Sequence, residues 1–147
     1  MESPYQHSIE CVSRLLREYY AHKGRLILAL DFDDTVFDYH NAGHSYDWIL
    51  GLVRCAQAAR FYIMLFTGTP RAQWDAQCAY LQDRGIHVDS VNANPIALPF
   101  GNDGKPYYNL LLDDRAGLGQ GAQILNQLLT EIENGGERDE NIPRHRS

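Results

Sequence analysis

The chain has 147 residues, of which 44% are hydrophobic and 22% charged. That is enough for one compact domain with its own core and too little for two. The net charge of −6 and a pI near 5.4 exclude a strongly basic face of the kind that non-specific duplex binding needs, while leaving nucleic-acid ends open as substrates. The first ten residues are polar, with no signal-type apolar stretch, and no apolar run approaches the ~18 residues of a membrane span. A cytoplasmic protein with no membrane contact is expected.

In chain order, Ile9, Val12, Leu15, Leu16, Tyr19 and Tyr20 have helical spacing and predict an N-terminal helix over 6–23, stopped at Gly24. Leu26 to Leu30 is a continuous apolar run ending in acids, the pattern of a strand buried on both faces in a parallel sheet. Residues 36–45 read as irregular. Trp48, Ile49, Leu52, Val53 and Ala56 mark a second helix. Residues 61–66 form a second buried strand, followed by Thr67-Gly68-Thr69-Pro70, with Thr69 as an N-cap and Pro70 as the first helical residue. Trp74, Cys78 and Leu81 give the next helix its stripe, and Gly85 ends it.

A short strand is expected over 87–91 and a long loop over 92–106, the kind that is often functional. Residues 108–112 are the last strand, again ending in acids. Leu118 to Ile132 is the last helix, and residues 135–147 read as a polar tail beyond a single domain over 1–134. Cys11, Cys55 and Cys78 are far apart and lack C-x-x-C spacing, so they read as buried free thiols. Strands alternating with helices imply a Rossmann-like, doubly wound parallel sheet in a three-layer α/β/α arrangement. Ligands of such sheets bind beyond the carboxyl ends of the strands.

The acids and hydroxyls fall at those ends. Asp31, Asp33 and Asp34 follow the first strand, Thr67 the second, and Asp113 and Asp114 the last. Carboxylates this dense repel one another and resist desolvation, a conflict that a hard divalent cation resolves. Oxygen-only ligands favour magnesium over zinc.

Residues 26–38 (LILALDFDDTVFD) resemble the first motif of the haloacid dehalogenase (HAD) superfamily, an apolar strand followed by D-x-D-x-T. Residues 61–67 match its second motif, Lys105 its third-motif lysine, and residues 110–114 (LLLDD) its fourth, all in the family's order. The resemblance implies that Asp31 attacks phosphorus to form an aspartyl-phosphate. Asp33 then acts as general acid and afterwards as base. Magnesium is implied at Asp31, Asp114 and the Asp33 backbone carbonyl, with Asp113 orienting ligands. Thr67 and the Gly68 N–H would hold the phosphoryl group, Lys105 would neutralise it, and Arg71 could reach the substrate. Two features depart from the family pattern. Asp34 stands where Gly is common, and no further acid follows Asp113-Asp114 within a few residues.

Only 31 residues separate Thr35 from Thr67, and 13 separate Val91 from Lys105. Neither gap holds a cap domain, so a small capless (C0-type) member is implied. An open site suits a bulky phosphomonoester, a nucleotide or a nucleic-acid end, while a second copy of the chain could cover the site for a smaller substrate. Phe37, Tyr39, His40, His44 and Tyr46 lie in or just after the flap, where rings could contact substrate or pack locally. Arg115 follows the paired acids, as in the 3′-phosphatase domain of polynucleotide kinases. Receiver domains of response regulators share the chemistry but order their acids differently. A member that has lost catalysis and only binds a phosphorylated partner is the alternative.

Overall fold

The computed structural model describes residues 8–97 and 105–141, with Ser8 and 136–141 as backbone only. Helix α1 spans Ser8–Ala21, β1 Ile27–Leu30, α2 Asp47–Ala58, β2 Tyr62–Leu65, α3 Trp74–Asp83, β3 Ser90–Val91, β4 Leu110–Leu112 and α4 Leu118–Asn141. The four strands form one all-parallel sheet in the order β3-β2-β1-β4. Four helices flank it, giving the Rossmann-like α/β class that the sequence implies.

Strand β1 is central and completely buried, which explains its unbroken apolar run. Leu28 and Leu30 stand beside Ile63 and Leu65 of β2 and beside Leu110 and Leu112 of β4. These side chains share one face and merge with Val12 and Leu15 of α1, Val53 of α2, Leu81 of α3 and Leu125 and Leu128 of α4. On the opposite face Ile27, Ala29 and Met64 pack with Tyr62, Phe66, Tyr108 and Leu111. The chain leaves β1 towards β2 on one side and returns to β4 on the other. The crevice between the ends of β1 and β4 is therefore the topological switch point, where doubly wound sheets bind ligands.

Local chemistry sets the boundaries. Helix α1 ends where Gly24 takes φ +86 and its N–H donates to the Tyr19 carbonyl at 2.7 Å, a left-handed stop that glycine adopts without strain. A β-carbon there would lie 3.3 Å from the Tyr19 ring.

Several expectations are corrected. Thr69 does not cap α3. Its hydroxyl is 3.0 Å from that of Thr67 and its carbonyl accepts from Trp74 Nε1, so a 3-10 turn over Arg71–Gln73 intervenes. Trp48 is 53% exposed, and the buried stripe of α2 is Ile49, Leu50, Leu52, Val53 and Ala56. Strand β3 is two residues rather than five because side chains replace the ladder at both ends. Ile63 N–H donates to Asp89 Oδ2 and Thr67 N–H to Asn92 Oδ1. Helix α4 continues past Asn134 to Asn141. Gly135 is buried, so the helix is still packed where a polar tail was expected. Cys55 is exposed rather than buried, while Cys11 and Cys78 are half-buried and none of the three forms a disulfide. Among the described residues no helix is long and apolar enough to cross a membrane.

Candidate active site

The site is built from strand ends. Asp31 follows β1, and its N–H donates to the Leu112 carbonyl at 2.9 Å, tying the ends of β1 and β4 together. The chain then curls. The Phe32 carbonyl accepts from the N–H groups of Thr35, Val36 and Phe37, and Asp34 adopts φ +58. Phe32 and Val36 drop into the core, at 5% and 1% exposure, which leaves Asp31 and Asp33 facing the same cavity.

Thr35 is fully buried. Its hydroxyl donates to Asp31 Oδ2 at 3.1 Å and accepts from the Asp114 N–H at 3.0 Å, so one side chain joins the two acidic strand ends. Asp113 caps a 3-10 turn over Asp114–Ala116, its Oδ1 accepting from Arg115 N–H at 3.0 Å. Asp31, Asp113 and Asp114 each offer a carboxylate oxygen, all within 4.8 Å of one another.

Thr67 follows β2 and is almost buried. Asn92 clamps its backbone from both sides, accepting from Thr67 N–H at 2.9 Å and donating through Nδ2 to the Thr67 carbonyl at 2.7 Å. Asn92 does this at φ +52, a left-handed conformation that Asn tolerates better than most residues. The Thr67 hydroxyl accepts from Thr69 N–H at 3.3 Å.

These elements surround a cavity of about 560 Å³, within the range of small-molecule sites. Its acids are Asp31, Asp33, Asp34, Asp113 and Asp114. Phe66, Thr67, Gly68 and Thr69 form another part of the wall, and Tyr39, His40 and Arg115 complete it. His40 pairs through Nδ1 with Asp34 Oδ2.

The electrostatics follow from crowding. Burial and then the neighbouring Asp113 charge push the Asp31 carboxyl up to about 7, against the pull of the Thr35 hydroxyl. Burial and the Asp34 charge also raise Asp33. Asp34 goes the other way: desolvation, the largest single influence, raises it, but the hydrogen bonds and charge of His40 and the Tyr39 N–H together lower it.

Among the described residues, none of the ion pairs brings a lysine or arginine to Asp31, Asp113 or Asp114. A cluster of hard oxygen donors, half-buried at Asp31 and Asp113 and exposed at Asp114, with no lysine or arginine ion-paired to it among the described residues, fits a divalent cation of the magnesium type. Asp31, Asp113 and Asp114 are the side chains able to hold it.

The structure thus brings Asp31, Asp33, Thr67, Gly68, Asp113 and Asp114 to one cavity. It does not bring Lys105 or Arg71 there. Lys105 is exposed and outside the lining, because it precedes β4 and the acids lie beyond that strand's far end. The Arg71 guanidinium sits over the Trp74 ring, 5.3 Å from its centre. Sequence reasoning gave no structural task to Thr35 or Asn92. The T of D-x-D-x-T was a signal for Thr35. Nothing in the sequence pointed to the Asn92 clamp, which needs β2 and β3 to be neighbours.

No family model matches the chain, and no curated protein matches it. Among solved structures, a conserved protein from Bacteroides thetaiotaomicron is similar, with a TM-score of 0.56 and 18% identity. The match covers 70% of this chain and 91% of that one. At that identity the likeness establishes the fold alone.

Proposed function

We propose that the protein is a magnesium-dependent phosphomonoester hydrolase of the HAD type, with Asp31 as the nucleophile. The observation that carries this is the meeting of Asp31, Asp113 and Asp114 within 4.8 Å in a cavity that Thr67 also lines. The order of motifs along the chain supports the same reading.

A carboxylate oxygen of Asp31 attacks phosphorus, and the bond from phosphorus to the leaving oxygen breaks. Asp33 gives that oxygen its proton, a task suited to a carboxyl whose affinity for protons is raised. The ionised Asp33 then takes a proton from water. The water oxygen attacks phosphorus, the bond from phosphorus to Asp31 breaks, and inorganic phosphate leaves. A magnesium ion held by Asp31, Asp113 and Asp114 would supply the positive charge that offsets repulsion between nucleophile and substrate. The Thr67 hydroxyl and the Gly68 N–H hold the phosphoryl oxygens. Among the described residues Arg115 is the one lysine or arginine lining the cavity, and it takes the neutralising task that the family resemblance gives to Lys105. Among the described residues, one flap and one helix separate Thr35 from β2, in keeping with a capless site open to bulky substrates.

Phosphate release from p-nitrophenyl phosphate tests the proposal. Turnover is expected with magnesium, and it is expected to vanish with a chelator or in Asp31→Asn. Magnesium-dependent release no greater than that of Asp31→Asn would refute hydrolysis and favour a module that only binds a phosphorylated partner.

A further inference from the structure

We infer that Tyr39 selects the leaving group by stacking on a nucleobase, which makes nucleotide phosphomonoesters the substrate class. This rests on the hydrolase reading and deepens it.

Tyr39 lines the cavity yet is 59% exposed, an unusual state for a ring whose neighbours are so firmly held. Its N–H donates to the Phe37 carbonyl at 2.8 Å. Phe37 is stacked on Phe32, with ring centres 5.5 Å apart, and meets Tyr80 edge-on at 5.3 Å. The next residue, His40, is fixed to Asp34 through both its backbone N–H and its ring. The flap is thus anchored on both sides of Tyr39. Its ring meets one aromatic neighbour, the edge of His40 at 5.0 Å and 88°. A solvent-exposed aromatic face on a hydrogen-bonded turn is a platform for a planar ligand ring.

The placement favours a base over an aryl phosphate. In an aryl phosphate the ring starts at the oxygen being displaced, down among the half-buried carboxylates. The inference sets the base, carried beyond the ester oxygen by a sugar, against Tyr39, which lines the cavity from the exposed flap. The cavity of about 560 Å³ far exceeds what a phosphoryl group fills. A free nucleotide and a nucleic-acid end present the same chemistry here.

The test compares wild type, Tyr39→Ala and Tyr39→Phe on adenosine 5′-monophosphate, ribose 5-phosphate and a terminally phosphorylated oligonucleotide, with magnesium. Tyr39→Ala is expected to raise KM for the ring-bearing substrates about tenfold, and Tyr39→Phe less than about twofold, in line with base–aromatic stacking. KM for ribose 5-phosphate is expected to stay the same in all three proteins. A lower KM for the oligonucleotide than for the mononucleotide would assign the base to a polymer end, and the reverse to a free nucleotide. Equal effects of Tyr39→Ala on all substrates, or none on any, would overturn the inference and leave the hydrolase reading standing. If wild type turns over none of them, the hydrolase reading is judged on p-nitrophenyl phosphate and the stacking by binding alone. Calorimetric binding of adenosine 5′-monophosphate then decides: loss in Tyr39→Ala with retention in Tyr39→Phe supports stacking, and any other pattern overturns it.

Discussion

Replacing Asp31 by Asn should abolish turnover and yet stabilise the metal-free protein. The side chain is nearly isosteric, and its amide oxygen still accepts from the Thr35 hydroxyl. The substitution removes the charge that burial and Asp113 oppose. Asp31 moves from an ordinary 3.8 to about 7 in the folded chain, a gap worth roughly 4 kcal/mol by linkage. Because Asp31 is only half-buried, solvent screening reduces this to ~2 kcal/mol. The sign follows from proton binding. The folded state holds the Asp31 proton more tightly than the unfolded chain, so the Asp31 contribution to the stability of metal-free wild type is greatest below about pH 4. That contribution falls as pH rises towards about 7, and the loss is complete above that. Urea melts of both proteins in chelator, from pH 4.5 to 8, should show Asp31→Asn ahead by ~2 kcal/mol at pH 8, a lead of about 6 °C in Tm for a chain of this size. The lead should shrink as pH falls. Magnesium should reverse the order, because wild type gains binding energy that the variant lacks. A variant less stable than wild type in chelator at pH 8, or a difference that does not change with pH, would refute the electrostatic account of the cluster.

Other substitutions separate the parts of the site. Thr35→Val keeps the shape but leaves the Asp114 N–H without its acceptor, which should cost about 1–3 kcal/mol in melts and weaken magnesium binding roughly tenfold or more by titration. Asn92→Gly preserves the left-handed backbone but removes both hydrogen bonds to Thr67. Stability should fall by ~1–3 kcal/mol, with kcat reduced more than KM in steady-state assays. Arg115→Ala should depress kcat/KM by roughly 100-fold, the scale of one lost transition-state donor. Lys105→Ala should leave kcat/KM unchanged and stability within about 0.5 kcal/mol. The opposite ranking of those two variants would return the neutralising task to Lys105.

What the sequence made legible follows from how many residues each feature needs. The strands of the switch point are short, buried on both faces and terminated by acids, so composition and position together marked Leu26 to Asp34 and Leu110 to Asp114. The register that brings Asp31 beside Asp113 is not written in either segment alone. It follows from Leu28 and Leu30 pairing with Leu110 and Leu112. Features that depend on a side chain substituting for backbone were opaque. Asp89 and Asn92 shorten β3 by occupying ladder positions, and Thr69 looks like a cap but turns to Thr67. Amphipathic counting also misplaced Trp48, since a large apolar residue at a helix start was read as core when it faces solvent. Lys105 shows the limit of motif order. Its spacing from Asp113 fits the family pattern, but the chain between them runs along β4 and carries the lysine away from the acids.

The arrangement concentrates unfavourable charge where the fold is least able to relax. Asp31 is the residue after the most buried strand of the sheet, and its neighbours Phe32 and Val36 are core residues. The loop therefore cannot swing the carboxylate out to water without exposing both. Thr35 fixes the same carboxylate to the Asp114 backbone across the switch point. A surface acidic turn would relieve its repulsion by moving, and its hydrogen bonds would be with water. Here packing holds Asp31 in place, so its repulsion with Asp113 is relieved by a proton at low pH or, on the proposed reading, by a cation that enters the cavity. A cation and an anionic ligand acting together fit that reading, since the cation offsets the carboxylates and leaves charge to attract the anion. Magnesium and a phosphate analogue such as vanadate should accordingly raise Tm together by more than the sum of their separate effects. Additive shifts would mean that the two bind independently and that the Thr67 wall does not share a ligand with the acids.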